Sequence, residues 1–162
     1  MEIEKKFLVK HLPDNLCGFD KKEIEQGYLC SVPIVRIRKS NEDYILTYKN
    51  KEGVSESLSQ HAKVLNEVEL SLTKESYEHL REKVDGHLVC KTRYLIPLTN
   101  GRTAELDVFH KQLDGLIMVE VEFPDIQAIY EFTPPDWFGE EVSNDHRYGN
   151  GYLAMIESYK DL

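Results

Sequence analysis

Charged residues spaced two apart, inside stretches that otherwise read as β-strand, recur along the chain and constrain its fold more than any other feature. The chain opens Met1-Glu2-Ile3-Glu4-Lys5-Lys6-Phe7, so a strand here puts Glu2, Glu4 and Lys6 on one face and Ile3 and Phe7 on the other. The spacing returns in Arg36/Arg38, Glu67/Glu69, Lys91/Arg93, Glu105/Asp107 and Glu120/Glu122, which straddle Ile37, Val68, Thr92, Leu106 and Val121. Solvated antiparallel sheets also carry polar faces and cross-strand ion pairs. A merely solvated face would accept Thr, Ser and Gln freely, whereas these positions hold carboxylates, Lys and Arg. The set points to strands whose charged faces line a wet cavity that handles a charged ligand.

Strand signals cover residues 2–9, 24–30, 34–39, 44–50, 64–72, 88–97, 102–109 and 116–123. Turn chemistry separates them at Val32-Pro33, Ser40-Asn41-Glu42-Asp43, Lys51-Glu52-Gly53, Thr99-Asn100-Gly101 and Gln112-Leu113-Asp114-Gly115. Strands at this spacing favour an antiparallel barrel or a strongly curved sheet. A helix is predicted from the Thr73 N-cap through Tyr77, Leu80 and Val84 to a stop at Gly86. A shorter one follows Pro124, with Ile126, Ile129 and Tyr130 facing inward, and a third covers Tyr152–Tyr159. Their apolar stripes need the apolar strand faces (Ile3, Phe7, Val35, Ile37, Leu106, Val108, Val119, Val121, Phe123), which leaves the charged faces inside. Burying those charges dry would cost on the order of several kcal/mol per ion, so the interior must be hydrated or filled by metal and anion.

Composition narrows the function. A chain of 162 residues can bury roughly 70% of its unfolded surface, and residues 1–162 read as a single domain. No secretory signal or membrane span is expected. Cys17, Cys30 and Cys90 lack CxxC spacing and read as reduced thiols of a cytoplasmic protein. The six histidines lack metal-site spacing, and His61, His79, His87 and His110 read as surface residues. A net charge of −9 argues against binding nucleic acid through its phosphates, but not against a small polyanion drawn to interior cations.

If the barrel closes, Glu2, Glu4, Glu120 and Glu122 converge, and carboxylates that close need raised pKa values or a cation between them. Mg²⁺ or Mn²⁺, with their preference for oxygen ligands, suit such a site. The basic set is Lys6, Arg36, Arg38, Lys49, Lys91 and Arg93, which could hold a chain of phosphates and stabilise charge as one is transferred to water. Some of these cations could equally pair with the acids opposite. No GxxxxGK[ST] loop, GxSxG elbow, HExxH motif or Cys cluster supports a competing chemistry.

Glu2-Ile3-Glu4-Lys5-Lys6 matches the ExExK signature of the CYTH, or triphosphate tunnel metalloenzyme, superfamily, and the ordered set Arg36-Ile37-Arg38, Lys49, Glu67, Lys91-Thr92-Arg93, Glu105-Leu106-Asp107 and Glu120-Val121-Glu122-Phe123 follows it. Glu25-Gln26-Gly27-Tyr28-Leu29 and Trp137-Phe138-Gly139-Glu140-Glu141-Val142 resemble the short bacterial inorganic tripolyphosphatases. The resemblance implies a mainly β (α+β) fold: a closed eight-stranded antiparallel barrel forming a triphosphate tunnel, with a few helices packed outside. It also implies a divalent metal and hydrolysis of a triphosphate. Carried over by motif, Glu2, Glu4, Glu120 and Glu122 hold the metal, and Lys6, Arg36, Arg38, Lys49, Lys91 and Arg93 hold the triphosphate. Glu67, Glu105 and Asp107 support that metal or a second one. Lys6, Lys91 and Glu67 serve the catalytic step, with Lys91 orienting the attacking water, and Tyr28 falls near the tunnel mouth. One departure is Leu65, where relatives carry Arg; Lys63 is the candidate replacement.

The expected activity is hydrolysis of inorganic tripolyphosphate, with nucleoside triphosphates slower. The alternatives are a CYTH-type adenylate cyclase, a thiamine triphosphatase, or a binding module for polyphosphate or nucleotide without turnover.

Overall fold

The computed structural model describes residues 1–162, the side chain of Asn100 excepted. Among the described residues the strands are β1 (Glu2–Val9), β2 (Asp20–Ser31), β3 (Ile34–Ser40), β4 (Asp43–Asn50), β5 (Lys63–Ser71), β6 (Asp85–Pro97), β7 (Thr103–Phe109), β8 (Ile117–Glu122) and β9 (Phe138–Glu141). They form one sheet in the order β5-β4-β3-β2-β6-β7-β8-β1, and β1 pairs back onto β5 to close an eight-stranded antiparallel barrel. The seam is short. Only Glu2–Glu4 pair with Lys63–Leu65; further along, β1 exchanges β5 for β9, with Phe7 opposite Glu141 and Val9 opposite Phe138. β9 is the strand that alternation did not reveal, because it is four residues long and contains a glycine.

Local chemistry explains the remaining elements. A two-residue turn, Asn41-Glu42, joins β3 to β4, with Asn41 at φ 52°, a left-handed conformation that Asn tolerates. Four helices accompany the strands: α1 (Glu56–Ser59), α2 (Lys74–Arg81), α3 (Ile126–Glu131) and α4 (Asn150–Leu153). The first lies in a stretch that reads as polar loop, and the Ser55 hydroxyl accepting from Leu58 N at 3.3 Å starts it. Thr73 caps α2 as expected, accepting from Ser76 N at 3.1 Å.

Three helix expectations are corrected. First, α2 stops at Arg81, and Gly86 belongs to β6 at φ 66°, where a Cβ would collide with Ala154 O. The bare Cα lets the C-terminal segment close down, and His87 N donates to Ala154 O at 2.6 Å. Second, that bond takes the Ala154 carbonyl away from helical pairing, so no helix spans 152–159: α4 ends at Leu153, and a separate 3₁₀ turn forms over Tyr159–Asp161. Third, α3 buries Ile129, but Tyr130 is 62% exposed and stacks edge-on against His61.

The apolar strand faces do point outward. Ile3, Phe7, Leu106, Val119, Val121 and Phe123 form one core with Ile129, Phe132, Trp137 and Phe138 from α3 and the chain after it. Outside β4 and β5 no such cover lies over Tyr48, Val68 and Leu70, which stay exposed. Inside the barrel the contents divide along its length. Tyr28, Val89, Phe109 and Met118 join Leu113, Leu116, Leu153 and Ala154 in a second apolar core that fills one part, and the charged positions occupy the rest.

Candidate active site

Alternation along the strands delivers the charged side chains to a cavity of about 770 Å³. Glu2, Glu4 and Lys6 enter from β1, Arg36 and Arg38 from β3, Lys49 from β4, Lys63, Glu67 and Glu69 from β5, Arg93 from β6, Glu105 from β7, and Glu120 and Glu122 from β8. The C-terminal chain from Val142 to Tyr152 forms a further wall and is tied to β1: Ser143 Oγ accepts from Lys6 N, and Tyr148 O accepts from Lys6 Nζ, both at 3.0 Å.

Some of these charges are already compensated. Arg93 donates from Nε to Asp107 Oδ1 at 2.7 Å and from Nη1 to Glu105 Oε2 at 2.8 Å, and its Nη2 lies 3.5 Å from Glu120 Oε2. Lys91 Nζ donates to Asp107 Oδ2 at 2.7 Å, and Lys6 Nζ sits 3.4 Å from Glu120 Oε1. The register produces this chain directly, since Arg93 faces Asp107, Glu105 faces Glu120, and Glu120 faces Lys6 on successive strands. Burial alone would raise the Asp107 and Glu120 pKa values. Arg93 and Lys91 at Asp107, and Lys6, Arg93 and Lys91 at Glu120, outweigh it and hold both carboxyls below their ordinary values. Lys49 likewise bridges Glu2 Oε1 at 2.8 Å and Glu67 Oε2 at 3.6 Å.

Two clusters are left short of counter-charge: in the first only Glu2 has a cation at ion-pair distance, Lys49 at 2.8 Å. Carboxylate oxygens of Glu2, Glu4 and Glu122 lie within 4.8 Å of one another. Burial, and then the Glu120 and Glu2 carboxylates, push Glu4 up to about 8; Glu122 is exposed, and what cover it has, and then Glu105 and Glu2, push it up to about 7. Such crowding suits a hard divalent cation, which replaces the shared protons with charge. On the other wall, Arg36 and Arg38 have no carboxylate partner among the described residues. Burial and the neighbouring Arg36 and Arg93 guanidiniums lower the Arg38 pKa. A pair of unneutralised guanidiniums, Arg36 buried and Arg38 half-buried, is a standing site for a multivalent anion.

The expected residues thus separate. Glu2, Glu4, Glu122, Lys6, Arg36, Arg38, Lys49, Arg93, Glu67 and Glu105 all reach the cavity. Glu120 also lines it but is turned toward Lys6 and Arg93 rather than gathered with Glu2, Glu4 and Glu122. Lys91, expected to touch the triphosphate and orient water, is not among the lining residues; its ammonium is fully buried on Asp107, which is itself covered. The reason is depth, because Lys91 pairs with Phe109 beside the apolar filling, one inward position further in than Arg93. Leu65, the departure from the family pattern, is buried, and Lys63 on the same face of β5 lines the cavity opposite Glu4. The C-terminal wall carries no alternating charge, so the sequence held no signal for it.

No protein-family model matches the chain. Curated relatives do. An inorganic triphosphatase of Nitrosomonas europaea is 38% identical over 157 residues, 95% of this chain and 97% of the relative. An inorganic triphosphatase of Acetivibrio thermocellus is 36% identical over 164 residues, 99% of this chain and 97% of the relative. The crystal structure of an inorganic triphosphatase superposes with a TM-score of 0.70 at 36% identity, covering 98% of this chain and 97% of that one. A barrel solved from Hippeastrum shares the fold at 16% identity and a TM-score of 0.56, over 81% of this chain and 83% of that one. With its closed barrel, its ordered charge pairs and relatives matched along its length, the chain belongs to the inorganic triphosphatases of the CYTH, or triphosphate tunnel metalloenzyme, superfamily.

Proposed function

We propose that this protein is a divalent-metal-dependent phosphoanhydride hydrolase that cleaves inorganic tripolyphosphate, with nucleoside triphosphates as slower substrates. One observation carries the reading: a single cavity holds a crowded carboxylate cluster short of counter-charge and, across from it, a pair of arginines without carboxylate partners. A metal–polyphosphate complex is complementary to both at once. The names of the full-length relatives point the same way.

We assign Glu2, Glu4 and Glu122 to the metal, Mg²⁺ or Mn²⁺, with Glu120 orienting Lys6 and Arg93 beside it. Bound there, the metal would supply charge neutralisation at phosphate oxygens and a template for water. Arg36 and Arg38 grip phosphate oxygens through paired N–H donors, and Lys6, Lys49 and Arg93, whose charges are largely met by carboxylates, line the path with further N–H donors. Water attacks a terminal phosphorus, the anhydride P–O bond breaks, and orthophosphate and pyrophosphate leave; cations fixed beforehand stabilise the charge that develops. Glu67 lines the cavity within reach of Lys49 and is our choice for the carboxylate that positions the water. Lys91 acts on the site only through Asp107 and Arg93. The free Cys17, Cys30 and Cys90 support a reducing, cytoplasmic setting.

The direct assay is phosphate release from tripolyphosphate, ATP, GTP and thiamine triphosphate with Mg²⁺ or Mn²⁺, and with EDTA. Metal-dependent release, fastest from tripolyphosphate, is expected. Tight binding of tripolyphosphate without release in either metal would instead make the protein a binding module, and cyclic AMP with pyrophosphate from ATP would make it a cyclase.

A further inference from the structure

The two arginines that lack carboxylate partners are not left loose. Each is held by a neutral acceptor on the adjoining strand. Arg38 Nε donates to Gln26 Oε1 at 2.8 Å, and Arg36 Nη2 donates to Thr47 Oγ1 at 3.1 Å. The pairs are register partners, Gln26 opposite Arg38 across β2 and β3, and Thr47 opposite Arg36 across β3 and β4. Both acceptors are 0% exposed, so neither is a surface residue that happens to lie nearby. Gln26 Nε2 has no partner among the described residues although it is buried. A buried amide that leaves two N–H groups unsatisfied carries a free-energy cost, which an apolar residue of similar size would avoid. Its retained contact is the one from Oε1 to Arg38.

We propose that Gln26 and Thr47 are positioning residues for anion binding: each fixes a guanidinium by a hydrogen bond without neutralising it, so the full charge stays directed at the triphosphate. The contrast within the barrel supports this. Arg93 has comparable hydrogen bonds, but they run to Asp107 and Glu105, and its charge is taken up before any ligand arrives. A carboxylate at position 26 would orient Arg38 equally well and would cancel the field that draws the anion. The downward push on the Arg38 pKa from burial and from Arg36 and Arg93 agrees with a cation that has no counter-charge; a guanidinium still stays protonated at any working pH.

This inference rests on the tripolyphosphate reading above, and the test keeps the two apart. Phosphate release by the wild type tests the activity. Calorimetric binding of tripolyphosphate to the metal-free full chain, which needs no turnover, tests the positioning role. Gln26→Glu should bind tripolyphosphate at least about tenfold more weakly than wild type, with KM rising by the same factor and Tm equal or higher. Gln26→Met, which keeps the cation free but unheld, should lose about threefold. If Gln26→Glu does not fold, Thr47 gives the same test: Thr47→Val should raise KM with kcat nearly kept, and Thr47→Ser should restore it. Binding by Gln26→Glu within about twofold of wild type, or by Thr47→Val equal to wild type, would overturn the proposal. So would equal losses in Gln26→Glu and Gln26→Met accompanied by a lowered Tm, since that pattern is a packing defect. A wild type that binds tripolyphosphate without cleaving it would refute the hydrolase and leave the positioning test standing; one that does not bind it refutes both.

Discussion

The cavity's charges divide into two populations that look alike in sequence and differ in structure. Along β6, β7, β8 and the inner part of β1, Lys91, Asp107, Arg93, Glu105, Glu120 and Lys6 form a continuous chain of ion pairs. On β3 Arg36 and Arg38 face no carboxylate, while beside the seam, where β1 also meets β8, Glu2, Glu4 and Glu122 crowd together and only Glu2 has a cation, Lys49, at ion-pair distance. Charges satisfied by the protein hold the barrel's shape. Charges left unsatisfied carry a standing cost in the ligand-free protein that metal and anion remove, and that cost is what gives affinity and position to the ligands.

The largest effect should come from breaking the compensated chain. Asp107→Asn leaves Lys91 and Arg93 as buried cations with one counter-charge fewer, and should destabilise the protein by about 3–5 kcal/mol. For a chain of this size that is a Tm lower by roughly 10 °C, read by calorimetry. An unchanged Tm would show that these pairs do not carry the structure.

Next is Glu4→Gln, which keeps volume and strand geometry and removes a metal-binding charge. Tripolyphosphatase activity should fall by about two orders of magnitude, roughly 3 kcal/mol of transition-state stabilisation, without loss of stability. Full activity with a lowered Tm would move Glu4 into the structural population.

Smaller again is Arg38→Met. The expected result is a KM for tripolyphosphate raised about tenfold, about 1.4 kcal/mol, with a Tm equal to or above wild type, because the cation removed has no carboxylate to abandon. A Tm lowered by several degrees would mean that Arg38 is a structural cation after all.

The mildest perturbation is pH. Glu4 is raised to about 8 and Glu122 to about 7, against 4.5 in the unfolded chain, so between these limits the folded state binds more protons. Their contribution is present in full below pH 4.5 and is lost as pH rises toward about 8. Lys91 and Lys63, lowered to about 7 and about 8 from 10.5, work in the opposite sense, but only above about pH 7. The Tm of metal-free protein should therefore fall between pH values of about 5 and about 7, and saturating Mg²⁺ should remove the fall by taking the place of the shared protons. A Tm that stays level without metal would contradict the crowding.

Much of this was legible in sequence because a period of two is unambiguous when the alternating residues are charged. The outward apolar faces follow from it; barrel closure, and with it the convergence of Glu2, Glu4 and Glu122, was implied by the family resemblance, and the Thr73 cap by helix-start chemistry. Pairing was not legible. Which cation meets which carboxylate depends on strand register and on depth along the barrel, so Lys91 and Arg93 look equivalent two residues apart although only Arg93 reaches the cavity. Neither was the C-terminal wall, whose placement depends on a long-range contact between Gly86 and Ala154 and not on any local pattern. Gln26 and Thr47 are uncharged, so a pattern recognised by its charge does not mark them as part of the site.

The most direct test of the two populations is thermal melting of the metal-free wild type, Glu4→Gln and Arg38→Met, each with Mg²⁺ alone and with tripolyphosphate alone. Wild type should be stabilised by either ligand, since each relieves a different uncompensated cluster. Glu4→Gln should lose the Mg²⁺ shift and keep the tripolyphosphate shift, and Arg38→Met should do the reverse. Loss of both shifts in both variants, or of neither in either, would contradict the separation of a metal wall from an anion wall.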